Sequence, residues 1–135
     1  MKNLGIDFGL KRVGLAISDT EGIFAFPLKV IERTTRDALF TELLEIIERE
    51  KVENIVLGLP LSLEGEDTLT TRQVRNFAKS LERRTEIPIH LVDERFSSIT
   101  AEEELKEAGR WNSKTKKNLD SQAATVILRT WLEGA

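Results

Sequence analysis

The sequence predicts an α/β domain in which a mixed five-stranded sheet carries helices on its faces. Three observations lead there. Residues 4–18 alternate apolar with small or polar side chains in two adjoining runs, which is the period of a strand, and residues 23–32 follow as a third run. Asn54 to Leu59 and Ile87 to Val92 are short apolar runs of strand length. Stretches with a 3.6-residue apolar period follow these runs. A three-stranded meander followed by two strand–helix units gives the order β-β-β-α-β-α-β-α-α, which implies both antiparallel and parallel neighbours.

The opening reads as a hairpin. Leu4, Ile6 and Phe8 alternate with Gly5, Asp7 and Gly9, and Leu10-Lys11-Arg12 forms the turn. Val13, Leu15 and Ile17 alternate with Gly14, Ala16 and Ser18. Asp19-Thr20-Glu21-Gly22 is a second turn. In the third strand Pro27 lacks an N–H to donate, so it marks an edge or a bulge. Thr34, with Asp37 three residues on, signals a helix start, and Leu39, Leu43, Ile46 and Ile47 share one face of that helix. Ser62 to Asp67 is a polar loop before a second helix, whose inner face is Val74, Phe77, Ala78 and Leu81. A third helix runs from Thr100 to a stop at Ala108-Gly109. A basic loop leads to the last helix, which begins at Asn118 or Asp120 and turns Ala124, Ile127, Leu128 and Trp131 inward.

A chain of 135 residues, 40% hydrophobic and 32% charged, has the size and composition of one globular domain, 1–135. No apolar run approaches the ~20 residues that cross a bilayer, and Asp7 stands where a signal peptide would be apolar. With no cysteine there is no disulfide framework and no thiolate metal site. The expected compartment is the cytoplasm, as a monomer or homodimer. A net charge of −3 argues against a protein that coats nucleic acid by bulk charge, but local basic patches remain. One is Arg72, Arg75, Lys79, Arg83 and Arg84 on the second helix, and the other is Arg110, Lys114, Lys116 and Lys117 in the loop. Either is also what a solvated surface would show.

Three carboxylates need explaining. Asp7 lies inside a strand, where an acid is costly unless a cation or several donors satisfy it. A salt bridge or hydrogen bonds to turn amides would serve as well as a metal. Glu94 ends the fifth strand, at the carboxyl end where functional groups gather in α/β sheets. Its alternative is a surface pair with Arg95, although adjacent strand residues point to opposite faces. Asp120 could simply cap the last helix. However, Ser121, Ala123 and Ala124 are small, as are Gly5, Gly9, Gly14 and Ala16 on the hairpin, so helix and sheet can approach closely. The third helix retreats by roughly 15 Å. Gly109 to Lys117 could span about 30 Å, enough to return the chain to the acidic edge. Three acids and a single histidine suit hard, oxygen-preferring ions such as Mg2+ or Mn2+ rather than zinc. His90, mid-strand, reads as structural.

Gly5-Ile6-Asp7-Phe8-Gly9 with Arg12-Val13-Gly14, Gly58-Leu59-Pro60-Leu61, Asp93-Glu94-Arg95 and Asp120-Ser121-Gln122-Ala123-Ala124 together resemble the four motifs of the YqgF family, also called RuvX. The resemblance covers essentially the whole chain, in order. Members are described as precursor 16S rRNA nucleases or as Holliday-junction-resolvase-like. The resemblance implies a ribonuclease H-like fold. It also implies a metal-dependent phosphodiesterase site at Asp7, Glu94 and Asp120 and a part in maturing the 5′ end of small-subunit ribosomal RNA. On this reading the protein is a hydrolase using one or two Mg2+ or Mn2+ ions. Asp7 bridges the ions, while Lys11, Arg12, Arg72, Arg75, Lys114, Lys116 and Lys117 steer the phosphate backbone.

Three other readings stay open. One is a resolvase acting on branched DNA. Another is an RNA-binding ribosome assembly factor without turnover. The last follows from Asp7-x-Gly9-x-x-x-x-Gly14, which also resembles the first phosphate loop of the actin, sugar kinase and heat-shock ATPase group. Those proteins enclose ATP between two such domains, and this length supplies one.

Overall fold

The computed structural model describes residues 1–94, 100, 103–104, 106–107 and 119–134. Strands β1 (Asn3–Phe8), β2 (Arg12–Ser18), β3 (Ala25–Glu32), β4 (Asn54–Leu59) and β5 (Ile89–Asp93) form one sheet in the order β3-β2-β1-β4-β5. The first three strands are antiparallel neighbours, whereas β1, β4 and β5 run parallel. The mixed five-stranded sheet expected from the sequence is therefore present.

Alternation along the strands divides the residues between two faces. Leu4 and Ile6, Val13 and Leu15, and Ile55, Leu57 and Leu59 pack with helices α1 (Arg36–Arg49) and α2 (Leu69–Glu82) in the main core. The expected inner residues Leu39, Leu43, Ile46, Ile47, Val74, Phe77, Ala78 and Leu81 are all buried there. On the other face Ala16, Val56 and Val92 pack against Ala124, Ile127 and Leu128 of the last helix, α3 (Leu119–Leu132).

Several boundaries differ from the sequence reading, most for a local reason. The third strand starts at Ala25, because Asp19 Oδ1 accepts from the N–H groups of Ile23 (2.7 Å) and Phe24 (3.1 Å) and so spends them in a turn. The fifth starts at Ile89, since Pro88 can only accept, from Ile55 N at 2.9 Å. The first helix is capped by Thr35, whose side chain accepts from Ala38 N at 3.1 Å, and Asp37 lies in the first turn. Asp120 lies in the first turn of α3, which begins at Leu119, rather than at its cap. Pro27 does sit on the edge strand, where the register with β2 slips. Thr100, Glu103, Glu104, Lys106 and Glu107 are helical, while the rest of the expected third helix and the basic loop lie outside the described residues.

His90 is structural, as expected. Its Nε2 is 3.1 Å from Asn54 Oδ1, Asn54 Nδ2 donates to Asn3 Oδ1 at 3.1 Å, and its ring packs 5.0 Å from that of Trp131. This polar chain lies toward the end of the sheet away from the acids.

The approach of α3 depends on glycines. A Cβ on Gly14 would lie 2.0 Å from the Asp120 carbonyl oxygen, and one on Gly5 would lie 2.8 Å from Leu128 Cβ. Gly9, grouped with them by sequence, serves another purpose: its N–H closes the hairpin onto Arg12 O at 2.9 Å, and an added Cβ would meet that same oxygen. A Gly14→Ala substitution must push the first turn of α3 off the sheet. It should cost about 1–3 kcal/mol, the range of an overpacked core, or more if the helix cannot yield. Urea unfolding should show this as a lower midpoint at unchanged slope.

Candidate active site

Asp7 is the penultimate residue of β1, on the face that meets α3. Its partner across the hairpin is Gly14. On the other side, the parallel register Ile6–Leu57 carries β4 on to Gly58 at the same level. The acid thus stands between two glycines, and both clearances are used. Over Gly14 passes the backbone of Asp120 and Ser121. Over Gly58 lies the Glu94 carboxylate, whose Oε2 would be 2.8 Å from an added Cβ, along with Ile127 Cδ1 at 2.5 Å. Glu94 follows β5 directly, and its N–H donates to Leu59 O at 3.1 Å, which extends the ladder by one residue. Because β1 and β5 run in the same direction, Asp7 and Glu94 emerge at the same end of the sheet.

The three acids interact. The Glu94 carboxyl is hydrogen-bonded to that of Asp7. The Asp7 carboxyl is pushed up from its ordinary 3.8 to about 6, first by burial and then by the charge of Asp120, against the opposing effect of the Glu94 hydrogen bond. Asp120 has a counterion of its own: Arg12 Nε donates to its Oδ2 at 3.0 Å. Among the described residues no group of three or more acids or histidines is placed to hold a metal ion. The donor chemistry nevertheless fits a hard dication, since the set is all carboxylate and one member is held against its charge by burial and a like neighbour.

The basic residues separate. Arg12 is at the acids, and Lys11 is exposed beside it in the β1–β2 turn. Arg75, in contrast, makes a bidentate pair with Asp67 at 3.0 and 3.1 Å, away from the acids in sequence and tied to the loop before α2. Arg72 is exposed in the first turn of α2. Lys114, Lys116 and Lys117 lie outside the described residues. Gly58 enters the sequence reading only within the Gly58-Leu59-Pro60-Leu61 motif, with no role of its own at the site. A glycine near the end of an otherwise buried apolar strand is its signal, because such a position weakens the strand unless something approaches closely.

A family model described as RuvX, Holliday junction resolvase, matches residues 1–134. The chain belongs to the RuvX family. Among its relatives, a protein of Maridesulfovibrio salexigens is 77% identical over 135 residues, covering all of both chains. One of Nitratidesulfovibrio vulgaris (strain Miyazaki F) is 52% identical over 98% of this chain and 93% of its own. Both are provisionally named pre-16S rRNA nuclease. Among solved structures, Thermus thermophilus RuvC in complex with a Holliday junction substrate superposes with a TM-score of 0.61 at 14% identity, covering 98% of this chain and 94% of that one. The fowlpox virus Holliday junction resolvase gives 0.58 at 12% identity over the whole of both chains. The RuvX chain thus has the ribonuclease H-like fold.

The raised carboxyl at Asp7 has a consequence for stability. Its folded value exceeds its unfolded one, so the folded state binds the proton more tightly and this residue's contribution declines as pH rises from about 4 to 6. Without metal, Asp7→Asn should be more stable than wild type above pH 6, by up to about 3 kcal/mol. The two proteins should converge near pH 4. Urea titrations at pH 4, 5, 6 and 7.5 with EDTA would measure the difference.

Proposed function

We propose that this protein is a divalent-metal-dependent endonuclease that hydrolyses phosphodiesters of precursor 16S rRNA, in 5′-end processing during ribosome biogenesis, and that it acts in the cytoplasm. The observation that carries the reading is the convergence of Asp7, Glu94 and Asp120 at one end of the sheet, where burial and Asp120 push the Asp7 carboxyl up to about 6. The names of the relatives supply the substrate.

Asp7, Glu94 and Asp120 would hold Mg2+ or Mn2+, as one ion or two. Such ions lower the pKa of a bound water and neutralise charge on a leaving oxygen. The chain's own residues would do the rest. Asp7 would take part in holding a cation in its ionised form, so ion affinity should rise with pH up to about 6. Arg12 stands where a phosphate would compete with Asp120 for its guanidinium. A phosphate that draws Arg12 away would release the Asp120 oxygen to the ion. Lys11 and Arg72, both exposed, would add phosphate contacts that position a strand without reading sequence. Lys114, Lys116 and Lys117 are proposed for the same role from their sequence positions alone.

A second reading, cleavage of branched DNA, is favoured by the family's description as Holliday junction resolvase. One experiment separates the two. Precursor 16S rRNA and a four-way DNA junction are each incubated with the protein and Mg2+, Mn2+ or EDTA. Metal-dependent cleavage of the RNA is expected, and Asp7→Asn, Glu94→Gln and Asp120→Asn should each reduce it by at least about a hundredfold while remaining folded. Cleavage of the junction alone would transfer the activity to DNA. Tight RNA binding with no cleavage of either substrate would make the protein a non-catalytic assembly factor.

The role given to Arg12 has its own test. In Arg12→Gln, Mn2+ affinity measured by calorimetry should rise severalfold, because a cation next to the acids is gone. Affinity for RNA should fall in the same variant. Unchanged metal affinity would show that Arg12 does not hold Asp120 back.

A further inference from the structure

On the other face of β1 from Asp7, next along the chain, Phe8 opens onto a cleft of about 280 Å³ between the β1–β2 turn, the start of α1 and the side of α2. Its floor is aromatic. Phe8 stacks on Phe77 with ring centroids 4.3 Å apart, and Phe77 stacks on Phe40 at 5.5 Å. Arginines lie on these rings. The Arg33 guanidinium is 4.6 Å from the Phe8 centroid, and Arg84 and Arg36 are 4.1 and 5.7 Å from that of Phe40.

The arginines are also fixed by hydrogen bonds. Arg33 Nη1 donates to the carbonyls of Gly9 (3.0 Å) and Leu10 (3.2 Å). Arg36 Nη2 donates to Ser80 Oγ, Arg83 Nη2 to the same oxygen at 3.3 Å, and Arg84 Nη1 to Ser80 O at 2.8 Å. None of Arg33, Arg36, Arg83 and Arg84 is ion-paired with a carboxylate among the described residues. Among the described residues no acid lines the cleft, whose other polar walls are Gln73, Asn76 and Ser80 from α2.

Ordering a long cationic side chain costs rotamer entropy, and neither an exposed cation–π contact nor a hydrogen bond to a carbonyl or hydroxyl neutralises its charge. A group of ordered, unneutralised guanidiniums is therefore a poor way to stabilise a fold and a good way to receive an anion. The free edges suit that use. Arg33 spends only Nη1 and Arg36 only Nη2, so each keeps an Nε-containing edge or a second terminal nitrogen for a phosphate. Gln73 and Asn76, one helical turn apart, supply the paired donors and acceptors that a nucleobase edge presents in return.

We propose that this cleft binds one nucleotide of the nucleic-acid strand, with its phosphate on Arg33 and Arg36 and its base against Gln73 and Asn76. The cleft and the acids share the Gly9–Lys11 turn, so a strand crossing that turn reaches both. The inference rests on the nuclease reading for its partner, but the site is testable without any cleavage.

The test uses the full chain carrying Asp7→Asn, with EDTA present so that nothing is cut. Three probes are titrated: a 5′-phosphorylated single-stranded RNA of about ten nucleotides, AMP, and inorganic phosphate. The expected order is RNA tightest, with AMP competing weakly for the same site. Arg33→Gln with Arg36→Gln should weaken RNA binding about tenfold. Gln73→Ala with Asn76→Ala, which leaves both arginines in place, should weaken RNA and AMP but not phosphate. Arg49→Gln, at the end of α1 and outside the cleft, should leave RNA binding unchanged. If neither pair alters binding of any probe, the site is overturned even where the wild-type protein proves to be a nuclease. If AMP binds more tightly than the RNA, the strand is overturned as occupant and the cleft takes a free nucleotide.

Discussion

How near the last helix comes to the sheet is set by the absence of three side chains, and the acidic edge follows from that distance. Gly5 lets Ala124 and Leu128 lie on β1, Gly14 lets the first turn of α3 lie on β2, and Gly58 leaves the space that Glu94 and Ile127 fill. A single Cβ at Gly14 would meet the Asp120 carbonyl at 2.0 Å, far inside contact distance. Close packing cannot absorb that without moving the helix. Asp120 reaches Asp7 because the helix that carries it is seated this low.

Seating the helix there has an electrostatic cost, concentrated on Asp7. Burial and the Asp120 charge raise its carboxyl to about 6, against the opposing effect of a hydrogen bond from Glu94. Arg12 offsets part of the remaining charge from the rim. An acidic cluster arranged this way is under-neutralised without a cation, which is the usual condition of a functional site and an unusual one for a purely structural ion pair. The fold tolerates it because the opposite face of the same sheet is a continuous apolar core with two helices over it.

β1 therefore serves two surfaces with consecutive residues. Asp7 points to the acids, and Phe8 points to the arginine-covered cleft beneath α2. The turn that follows binds them together: Gly9 and Leu10 carbonyls hold Arg33, while Arg12 holds Asp120. A change in that turn is felt on both sides of the sheet.

Much of this was legible in the chain itself. Strand alternation gave the two faces of the sheet, helical spacing gave every buried residue expected on α1 and α2, and an acid inside a strand marked Asp7 as a residue needing a partner. Strand direction then put Asp7 and Glu94 at one end. Local turn chemistry moved a few boundaries, as at Asp19 and Pro88, where hydrogen bonds that a ladder would use go elsewhere.

What sequence could not fix was which charges meet. Arg12 and Arg75 are equivalent as letters, yet Arg12 faces Asp120 and Arg75 is spent on Asp67. Arg84, far in the chain from Arg33 and Arg36, joins them over Phe8 and Phe40 only once α1 and α2 pack side by side. Periodicity reports which face a residue occupies because that depends on local backbone geometry. Convergence depends on distances between elements, and here those are set by glycines whose missing side chains have meaning only when the opposing helix is in place.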